Sequence, residues 1–355
     1  MKPFVEMAEL GHEQVVLCRN DEVGLRAIIA IHNTTLGPAL GGCRLYPYAS
    51  EEAAMTDALR LSRGMTYKAA ITGLDLGGGK SVIIGDPSVK SEGLFRAFGR
   101  QIESLNGRYI TAEDMNTNVA DMNHIRRETK WVTGAGAHTG GSGDPSPVTA
   151  WGVFSGLRAC LEVVYGSADV EGKSVAIQGV GNVGYNLARY LHERGATLVY
   201  SDVNKANIER AMAEFGGTVV EGDDLYSANV DVLAPCAIGG VINSRTIDRI
   251  RAPIIAGGAN NVLLDERTDS ERLMEKGITY APDYVINAGG LLSVYAELRG
   301  WPTEKVMEDA SDIFTTVKNV LLKAKAEGIS TILASNRMAE ERIETVGHIH
   351  RMHVG

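Results

Sequence analysis

The sequence has few cysteines, no excess of basic residues and no long apolar run. Its four cysteines form no C-x-x-C pair, which excludes a disulfide scaffold and indicates reduced thiols in the cytoplasm. No stretch approaches the roughly 18 uninterrupted apolar residues that a membrane-spanning helix needs, and the N-terminus shows no secretory pattern. We therefore expect a cytoplasmic protein without a membrane partner.

Basic residues are outnumbered by acidic ones, 35 to 44, and the formal net charge is −9. A polyanion would meet a repelling average surface, so we do not expect nucleic acid to be a main partner. The chain is 44 % hydrophobic and 22 % charged, which is typical of a globular protein and excludes the disordered class. Its 355 residues predict two domains at roughly 150 residues each.

Glycine, in contrast, is plentiful, with 41 residues gathered in short clusters. Residues 134–147 contain too many glycines and prolines for regular structure and predict a loop or hinge. We place the domain boundary there, with a first domain at residues 1–147 and a second at residues 148–330. Residues 331–355 then predict a C-terminal helix that packs back toward the first domain.

Apolar periodicity predicts a mixed α/β protein. Residues 26–32 predict a strand in the first domain, and Ser50 predicts a helix start. In the second domain, a strand at 174–178, a helix at 183–194 and a strand at 197–201 form a βαβ unit.

Later segments extend this unit into a doubly wound sheet. Short apolar runs at 230–234 and 253–256 predict further strands. Pro302 breaks the chain, Thr303 predicts the cap of one long helix, and a last helix follows Ser330. The long helix would present one apolar face made of Val306, Ala310, Ile313, Val317 and Leu321.

A G-x-G-x-x-G motif lies between the predicted strand at 174–178 and the helix that follows it, which is the context of a dinucleotide-binding turn. Its residues are Gly179, Val180, Gly181, Asn182, Val183 and Gly184. Glycine permits the turn and lets a pyrophosphate approach the helix N-terminus. Asp202 ends the next strand, where a carboxylate accepts hydrogen bonds from ribose hydroxyls and repels a 2′-phosphate, which favours NAD over NADP, although Lys205 nearby softens that preference.

A second glycine cluster, residues 77–81, is similar to a nucleotide-hydrolase P-loop, but Leu74 stands where that motif requires glycine. We interpret it as a flexible loop that presents Lys80, with Lys68 earlier in the chain. If both ammonium groups line one cleft, repulsion and desolvation lower the pKa of at least one of them, which makes a candidate general base. The alternative is that both lysines are ordinary surface residues.

Two acidic residues, Glu113 and Asp114, follow a strand-like stretch at 108–110. Acidic groups at the end of a strand are well placed to face a cleft. The alternative is that they begin a helix, since acidic residues suit a first turn.

Several longer motifs occur in one order along the chain. They are Gly-Pro-Ala-Leu-Gly-Gly at 37–42, Met-Thr-Tyr-Lys at 65–68, the glycine run at 77–80, Thr-Ala-Glu-Asp at 111–114, Asn-Asn at 260–261 and Ala-Pro-Asp-Tyr-Val-Ile-Asn-Ala-Gly-Gly at 281–290. From about residue 10 to about residue 345, the sequence resembles the leucine/phenylalanine/valine dehydrogenases.

The resemblance implies an N-terminal domain for substrate binding, catalysis and oligomerisation, and a C-terminal Rossmann domain for NAD, separated by a cleft. It implies a homo-oligomer that carries out reversible, NAD-dependent oxidative deamination of an apolar L-amino acid. Lys68 would bind the α-carboxylate of the amino acid, and Lys80 would be the base that activates water. Asp114 would assist proton transfer at the amino group.

The same resemblance gives the cofactor and metal predictions. Besides the glycine motif, the cofactor-binding residues would be Asp202, Ala237, Asn260, Asn261 and Asn287. Either Asn260 or Asn261 would hold the substrate or the nicotinamide, and no metal is implied.

Substrate choice depends on the residues around the substrate side chain. Leu40 stands where related glutamate dehydrogenases have lysine, which favours an apolar substrate. Ala112 agrees with leucine-type members, Leu291 with aromatic-type members, and Val294 fits either. Gly41, Gly77 and Gly78 complete the predicted substrate site. We expect leucine and other branched-chain acids first, with phenylalanine or tryptophan as the alternative.

Two interpretations in which the protein is not a dehydrogenase have less support in the sequence. One is a non-catalytic dinucleotide-binding protein, which the presence of both lysines and Asp114 disfavours. The other is a metal carrier built on His348, His350 and His353, but these have no nearby carboxylate or thiol partner in the sequence, so solvated histidines are expected.

Overall fold

The computed structural model describes residues 2–135 and 144–350, without the side chain of His350. Most of the predicted hinge, at residues 136–143, and His353 lie outside these ranges. The chain divides into two compact units, and three chain segments make up the first. Unit 1 consists of Met1–Gly143, Val294–Gly300 and Ala339–Gly355, and unit 2 of Asp144–Ser293 and Trp301–Met338.

Unit 1 contains a mixed sheet of five strands. They are β1 (Gln14–Asn20), β2 (Leu25–Asn33), β3 (Ala39–Tyr46), β4 (Gly77–Ile84) and β5 (Tyr109–Glu113). The strand order is β1-β2-β4-β3-β5, in which β2 is antiparallel to both of its neighbours and β3 is parallel to β4 and β5. The strand predicted at 26–32 is confirmed as β2.

Within residues 2–135 the structure has four α-helices: α1 (Pro3–Leu10), α2 (Glu51–Ile71), α3 (Glu92–Glu103) and α4 (Val119–Arg126). The Ser50 side chain accepts the N–H of Ala53 at 3.1 Å, which caps α2 and confirms the predicted helix start. Helix α2 covers one face of the sheet with Ala58 and Leu59, and α3 covers the other with Phe95 and Phe98. Both faces are therefore buried around β4.

Unit 2 contains a parallel sheet of six strands. They are β6 (Ser174–Gln178), β7 (Thr197–Ser201), β8 (Thr218–Val219), β9 (Val232–Pro235), β10 (Ile254–Ile255) and β11 (Thr279–Tyr280). The order is β11-β10-β9-β6-β7-β8, so the chain winds outward in both directions from β6. This is the doubly wound arrangement, and the predicted α/β fold class is confirmed.

The helices that follow residue 143 are α5 (Ser146–Tyr165), α6 (Asn182–His192), α7 (Lys205–Phe215), α8 (Glu266–Glu275), α9 (Asp283–Ile286), α10 (Gly289–Arg299), α11 (Thr303–Ser311), α12 (Ile313–Glu327) and α13 (Thr331–His350). No helix in the described ranges combines the length and the apolar character needed to cross a membrane.

The long helix predicted after Pro302 is wrong in two details. It is divided into α11 and α12, because the N–H of Asp312 bonds to the carbonyl of Asp309, three residues back, and this tighter bond interrupts the helical ladder. Thr303 is the first helical residue, and Pro302 holds the cap position without a side-chain bond. The predicted apolar face is nevertheless buried in all five of its residues.

The C-terminal half of α13 is fastened to the end of α2. Arg342 donates to the carbonyls of Leu74 at 2.8 Å and Gly73 at 2.9 Å, just past α2. Glu340 accepts the Tyr67 hydroxyl at 2.6 Å. These bonds support the segment that leads from α2 into β4, so unit 1 depends on residues far apart in the chain.

Candidate active site

The predicted site residues fall into two groups. Unit 1 holds Leu40, Gly41, Lys68, Gly77, Gly78, Lys80, Ala112, Asp114 and Val294. Unit 2 holds Gly179, Val180, Gly181, Asn182, Val183, Gly184, Asp202, Ala237, Asn260, Asn261, Asn287 and Leu291. The substrate and catalytic candidates, except Leu291, are thus in the first unit and all cofactor candidates in the second.

The glycine run before Lys80 is a buried strand, so the flexible loop predicted there is wrong. A Cβ on Gly77 would lie 2.0 Å from the carbonyl oxygen of Asn33, and a Cβ on Gly78 would lie 2.2 Å from the backbone nitrogen of Thr66. Neither distance can hold a real side chain. The glycines therefore serve close packing within the sheet and against α2, and the strand agrees with the rejection of a P-loop, since a P-loop is a turn that leads into a helix.

Lys80 is the buried cation of this strand. Its side chain is only 7 % exposed, and its Nζ contacts the carboxylate of Asp114. Burial, and after it the positive charge of Arg44, lowers the pKa of Lys80 from 10.5 to about 7. Such an amine is neutral in a large fraction of molecules near physiological pH, which is what a general base requires.

Asp114 follows β5, and the backbone aims it at Lys80. In the order β4-β3-β5, Lys80 and Asp114 lie on opposite sides of β3, and Gly42 of β3 is between them. A Cβ on Gly42 would be 2.7 Å from the Cβ of Asp114, so only glycine lets the two side chains meet. The alternative that the acidic pair begins a helix is wrong, because α4 starts at Val119 with its own cap, Asn118.

A further cation and its partners complete this group, and the sequence reasoning missed them. Arg44 Nη2 lies 3.6 Å from Asp114 Oδ1, and its Nη1 lies 2.9 Å from the carboxylate of Asp57 on α2. The Tyr48 hydroxyl donates to the same Asp57 oxygen. A signal was present in the sequence: Arg44 is two residues after Gly42 on a strand, which places both on one face of the sheet.

The predicted substrate residues of unit 1 lie on neighbouring elements. Leu40 of β3 and Ala112 of β5 are buried, and Lys68 is half-buried near the end of α2. A Cβ on Gly41 would lie 1.7 Å from the carbonyl oxygen of Gly79, so Gly41 serves sheet packing. The roles assigned to these residues stay predictions.

Helix α10 carries the two other substrate candidates. Leu291 is buried, and Val294 is half-buried one turn later. The same helix carries Glu297, whose carboxylate accepts the N–H of Gly134 at 3.2 Å within unit 1. This bond connects the chain at Gly134 to α10.

The glycine turn of unit 2 connects β6 to α6 as predicted. Gly179 has a φ of +88°, and a Cβ on it would lie 2.5 Å from the Cβ of Ala237. A Cβ on Gly184 would lie 2.0 Å from the carbonyl oxygen of Gly179. Around Gly181, however, nothing lies within 4 Å of the Cβ position, and α6 starts there without a side-chain cap. The turn thus leaves open space at a helix N-terminus, which fits a pyrophosphate.

Asp202 ends β7 and is bonded to that turn. Its carboxylate accepts the N–H of Val180 at 2.6 Å and that of Asn204 at 2.8 Å. Partial burial raises the pKa of Asp202, but these backbone donors, led by Asn204, outweigh burial and lower it overall. The carboxylate is therefore charged at neutral pH and fits an acceptor for ribose hydroxyls.

The asparagines after β10 form one small network. The Asn287 side chain is buried and its Nδ2 donates to Asn260 Oδ1 at 2.7 Å. Asn261 has a left-handed backbone, with a φ of +51°, and both Asn260 and Asn261 are exposed. Asn287 thus orients the side chain of Asn260. That either Asn260 or Asn261 contacts a ligand stays a prediction.

Comparison with known proteins bears on the whole chain. Residues 12–131 match the family model described as Glu/Leu/Phe/Val dehydrogenase, dimerisation domain, and residues 140–206 and 201–349 match that of Glutamate/Leucine/Phenylalanine/Valine dehydrogenase.

Curated relatives and solved structures agree with the family models. The chain is 53 % identical to a leucine dehydrogenase of Bacillus subtilis (strain 168), over 97 % of this chain and 94 % of that protein. It is 49 % identical to an L-tryptophan dehydrogenase of Nostoc punctiforme, over 96 % of each chain. The crystal structure of L-tryptophan dehydrogenase from Nostoc punctiforme superposes with a TM-score of 0.88 at 48 % identity, covering 97 % of this chain and 99 % of that one.

Proposed function

The chain belongs to the glutamate/leucine/phenylalanine/valine dehydrogenase family, and from that premise we propose that it oxidatively deaminates an apolar L-amino acid, leucine and other branched-chain acids first. The reaction converts the amino acid, NAD⁺ and water to the 2-oxo acid, ammonium and NADH, with release of a proton, and is reversible. One observation carries the proposal: the buried amine of Lys80 contacts the carboxylate of Asp114. It does so in a chain that is 53 % and 54 % identical to two leucine dehydrogenases.

The glycine turn and Asp202 would hold NAD. The open space at Gly181 and the uncapped start of α6 would take the pyrophosphate, and the Asp202 carboxylate would take the ribose hydroxyls. When bound, NAD⁺ supplies the acceptor for the hydride that leaves the substrate Cα. The charge of Asp202 disfavours a 2′-phosphate and hence NADP.

The unit 1 residues would handle protons and charge. Lys68 would bind the substrate carboxylate as a cation. The neutral amine of Lys80 would remove a proton from the water that attacks the substrate iminium, and Asp114 would accept or return a proton at the departing nitrogen. Burial of Lys80 strengthens this step, because desolvation favours its neutral form.

The identity of the substrate rests on apolar side chains. Leu40 is buried and offers no partner for a distal carboxylate, so glutamate would bury an unpaired charge. The small Ala112 favours branched-chain acids. Leu291 and the tryptophan dehydrogenase relative favour an aromatic substrate as the second candidate.

An amino acid panel tests the proposal. The purified protein is given each of twenty L-amino acids with NAD⁺ at alkaline pH, and the absorbance of reduced nicotinamide is followed. We expect the highest kcat/KM with leucine or another branched-chain acid and none with glutamate. Higher values for phenylalanine or tryptophan would shift the substrate to the aromatic alternative, and no turnover with any apolar amino acid would reject the function.

We also propose that the protein self-associates and is cytoplasmic. Strand β1 lies at an edge of the described unit 1 sheet with Leu17 exposed, within the segment that matches the dimerisation-domain model. All four cysteines are free thiols, which fits a reducing compartment. Light scattering after size exclusion tests the first point, since a mass of 38.0 kDa would indicate a monomer.

A further inference from the structure

Three charged side chains converge on one face of the unit 1 sheet. The strand registers place Gly42 and Arg44 of β3 on the same face as Lys80 of β4 and Asp114 after β5. Asp114 Oδ2 contacts Lys80, while Asp114 Oδ1 lies 3.6 Å from Arg44 and accepts the N–H of Met115 at 2.6 Å. One carboxylate is therefore shared by two cations, and each cation approaches a different oxygen.

Arg44 is itself held in place from the other side. Its Nη1 pairs with Asp57 on α2, and Asp57 also accepts the Tyr48 hydroxyl. The Arg44 side chain is 19 % exposed and its buried Nε has no hydrogen-bond partner among the described residues. The guanidinium is thus fixed by Asp57 at one end and directed at Asp114 at the other, with little freedom to move.

We infer that Arg44 is a positioning residue, which holds the Asp114 carboxylate against Lys80 and whose charge disfavours a second cation at Lys80 Nζ. The inference rests on the proposed function of Lys80 as the base and extends it to a residue that need not touch the substrate. Asp57 is the counter-charge that limits this effect.

The groups that act on the charge of Lys80 among the described residues do so in known directions. From β3, Arg44 disfavours the ammonium form, and from α2, Asp57 favours it. Cys43 would favour it only as a thiolate, but it lies on the other face of β3 and burial raises its pKa to about 12, so it is neutral. Asp114, after β5, also favours the ammonium form through direct contact. Arg44 is the cation of this set, and it acts in the same direction as burial, so its removal has a predictable sign.

The test compares the pH dependence of leucine oxidation in Arg44→Met and Asp57→Asn with that of the wild type. Removal of the Arg44 charge should move the acidic limb of kcat/KM to higher pH by about 1 unit, because Lys80 then keeps its proton more strongly. Removal of the Asp57 charge should move the same limb to lower pH. Opposite shifts support the inference, and limbs that stay in place or move in the same direction overturn it.

Two further variants separate charge from geometry. Arg44→Lys keeps the charge without the fork that spans Asp57 and Asp114, so the limb should stay near its wild-type position while kcat falls about tenfold. Arg60 is the matched control, since it lines the same open depression of about 570 Å³ as Arg44 and Asp57 and is itself exposed. Arg60→Met should leave the profile unchanged, and a shift as large as that of Arg44→Met would overturn the inference.

A measurement without cofactor distinguishes failure of this inference from failure of the proposed function. The pH dependence of Lys80 acetylation by acetic anhydride is followed by peptide mass spectrometry, with exposed Lys325 as internal reference. The midpoint for Lys80 should rise in Arg44→Met and fall in Asp57→Asn. If these shifts appear in a protein that does not oxidise any amino acid, the proposed function fails, while the effect of Arg44 and Asp57 on the charge of Lys80 holds. Active protein without the shifts overturns the inference alone.

Discussion

Two glycine clusters that look alike in the sequence do different physical work. In β4 of unit 1, Gly77 and Gly78 are buried in a strand, where a side chain would strike the backbone of β2 or α2. In the turn of unit 2, Gly181 faces open space at the start of α6. The first cluster lets protein approach protein, and the second leaves room for a ligand.

The contrast teaches where a substitution acts. A change in β4 should disturb the fold that carries Lys80, whereas a change at Gly181 should disturb binding and spare the fold. Within the turn itself both kinds of glycine occur, because Gly179 has a positive φ and contacts Ala237 closely. The following predictions test this division, beginning with the largest effect.

Gly78→Ala should destabilise the protein by about 4 kcal/mol or more, because its Cβ would lie 2.2 Å from both the backbone nitrogen and the Oγ1 of Thr66. Chemical unfolding, or the soluble yield if no folded protein is obtained, measures the loss. Gly64→Ala is the matched control: this exposed glycine of α2 has open space around its Cβ position, so stability should be equal or higher. Equal stability of the Gly78 variant and the wild type would contradict the packing role of the glycines in β4.

Lys80→Ala should lower kcat for leucine oxidation by about 10³-fold, since it removes the proposed base. The NAD dissociation constant, measured by titration calorimetry, should stay unchanged because the cofactor candidates are all in unit 2. Lys325→Ala, an exposed lysine of α12, serves as the control with normal rates. Near-normal rates in the Lys80 variant would refute the assignment of the base.

Gly181→Ala should weaken NAD binding by about 10- to 100-fold with little change in the melting temperature, because the added methyl meets no protein atom but occupies the approach to the helix N-terminus. Gly179→Ala should instead lose stability, since its φ of +88° disfavours a side chain. Calorimetric titration and thermal unfolding separate the two outcomes. Unchanged NAD affinity in the Gly181 variant would show that NAD does not bind at this turn.

The layer beneath the glycine strand contains two buried histidines, which makes this region sensitive to acid. His32 lies 2.7 Å from the Thr66 hydroxyl, and the rings of His12 and His32 are 4.8 Å apart. Burial lowers the pKa of each from 6.5 to about 4, with the neighbouring His12 adding to the effect at His32. Both are neutral in the fold and take up protons more readily when unfolded.

The contribution of these two histidines to the free energy of unfolding should therefore be constant above pH 6.5 and fall as the pH drops from 6.5 toward 4, by about 3 kcal/mol for each histidine. Hydrogen exchange at pH 5 should show β2 and α2 loosening before the glycine turn. His32→Gln should flatten the decline, while His192→Gln, on the exposed side of α6, should leave it as it is. A decline that is identical in the His32 variant would contradict the assignment.

The features that could be predicted from the sequence are those with a local cause. The βαβ unit followed from strand and helix periods together with glycines at fixed spacing, and the structure has β6, α6 and β7 there. The cap at Ser50 followed from one side chain and its neighbours. The separate roles of Lys80 and Asp114 came from the family resemblance, and their contact was not predicted, since nothing local connects them.

The features that sequence reasoning missed depend on tertiary contacts. Glycines at 77–79 suggest flexibility until β2, α2 and Tyr109 are in place around them. Arg44 and Asp57 are separated in the chain and meet only when α2 packs across β3. The division of the helix after Pro302 likewise depends on one backbone bond, from the N–H of Asp312 to the carbonyl of Asp309, and no residue type in this segment predicts it.

The bonds from Arg342 and Glu340 to the end of α2 have a consequence for biosynthesis. As the nascent chain leaves the ribosome, the strands and helices of unit 1 before residue 144 emerge first, and α13, which fastens them, emerges only after all of unit 2. Unit 1 therefore stays incomplete until residues 340–342 have been synthesised. A truncation before Glu340 should therefore destabilise the end of α2, where Tyr67 and Leu74 lose their bonds beside Lys68.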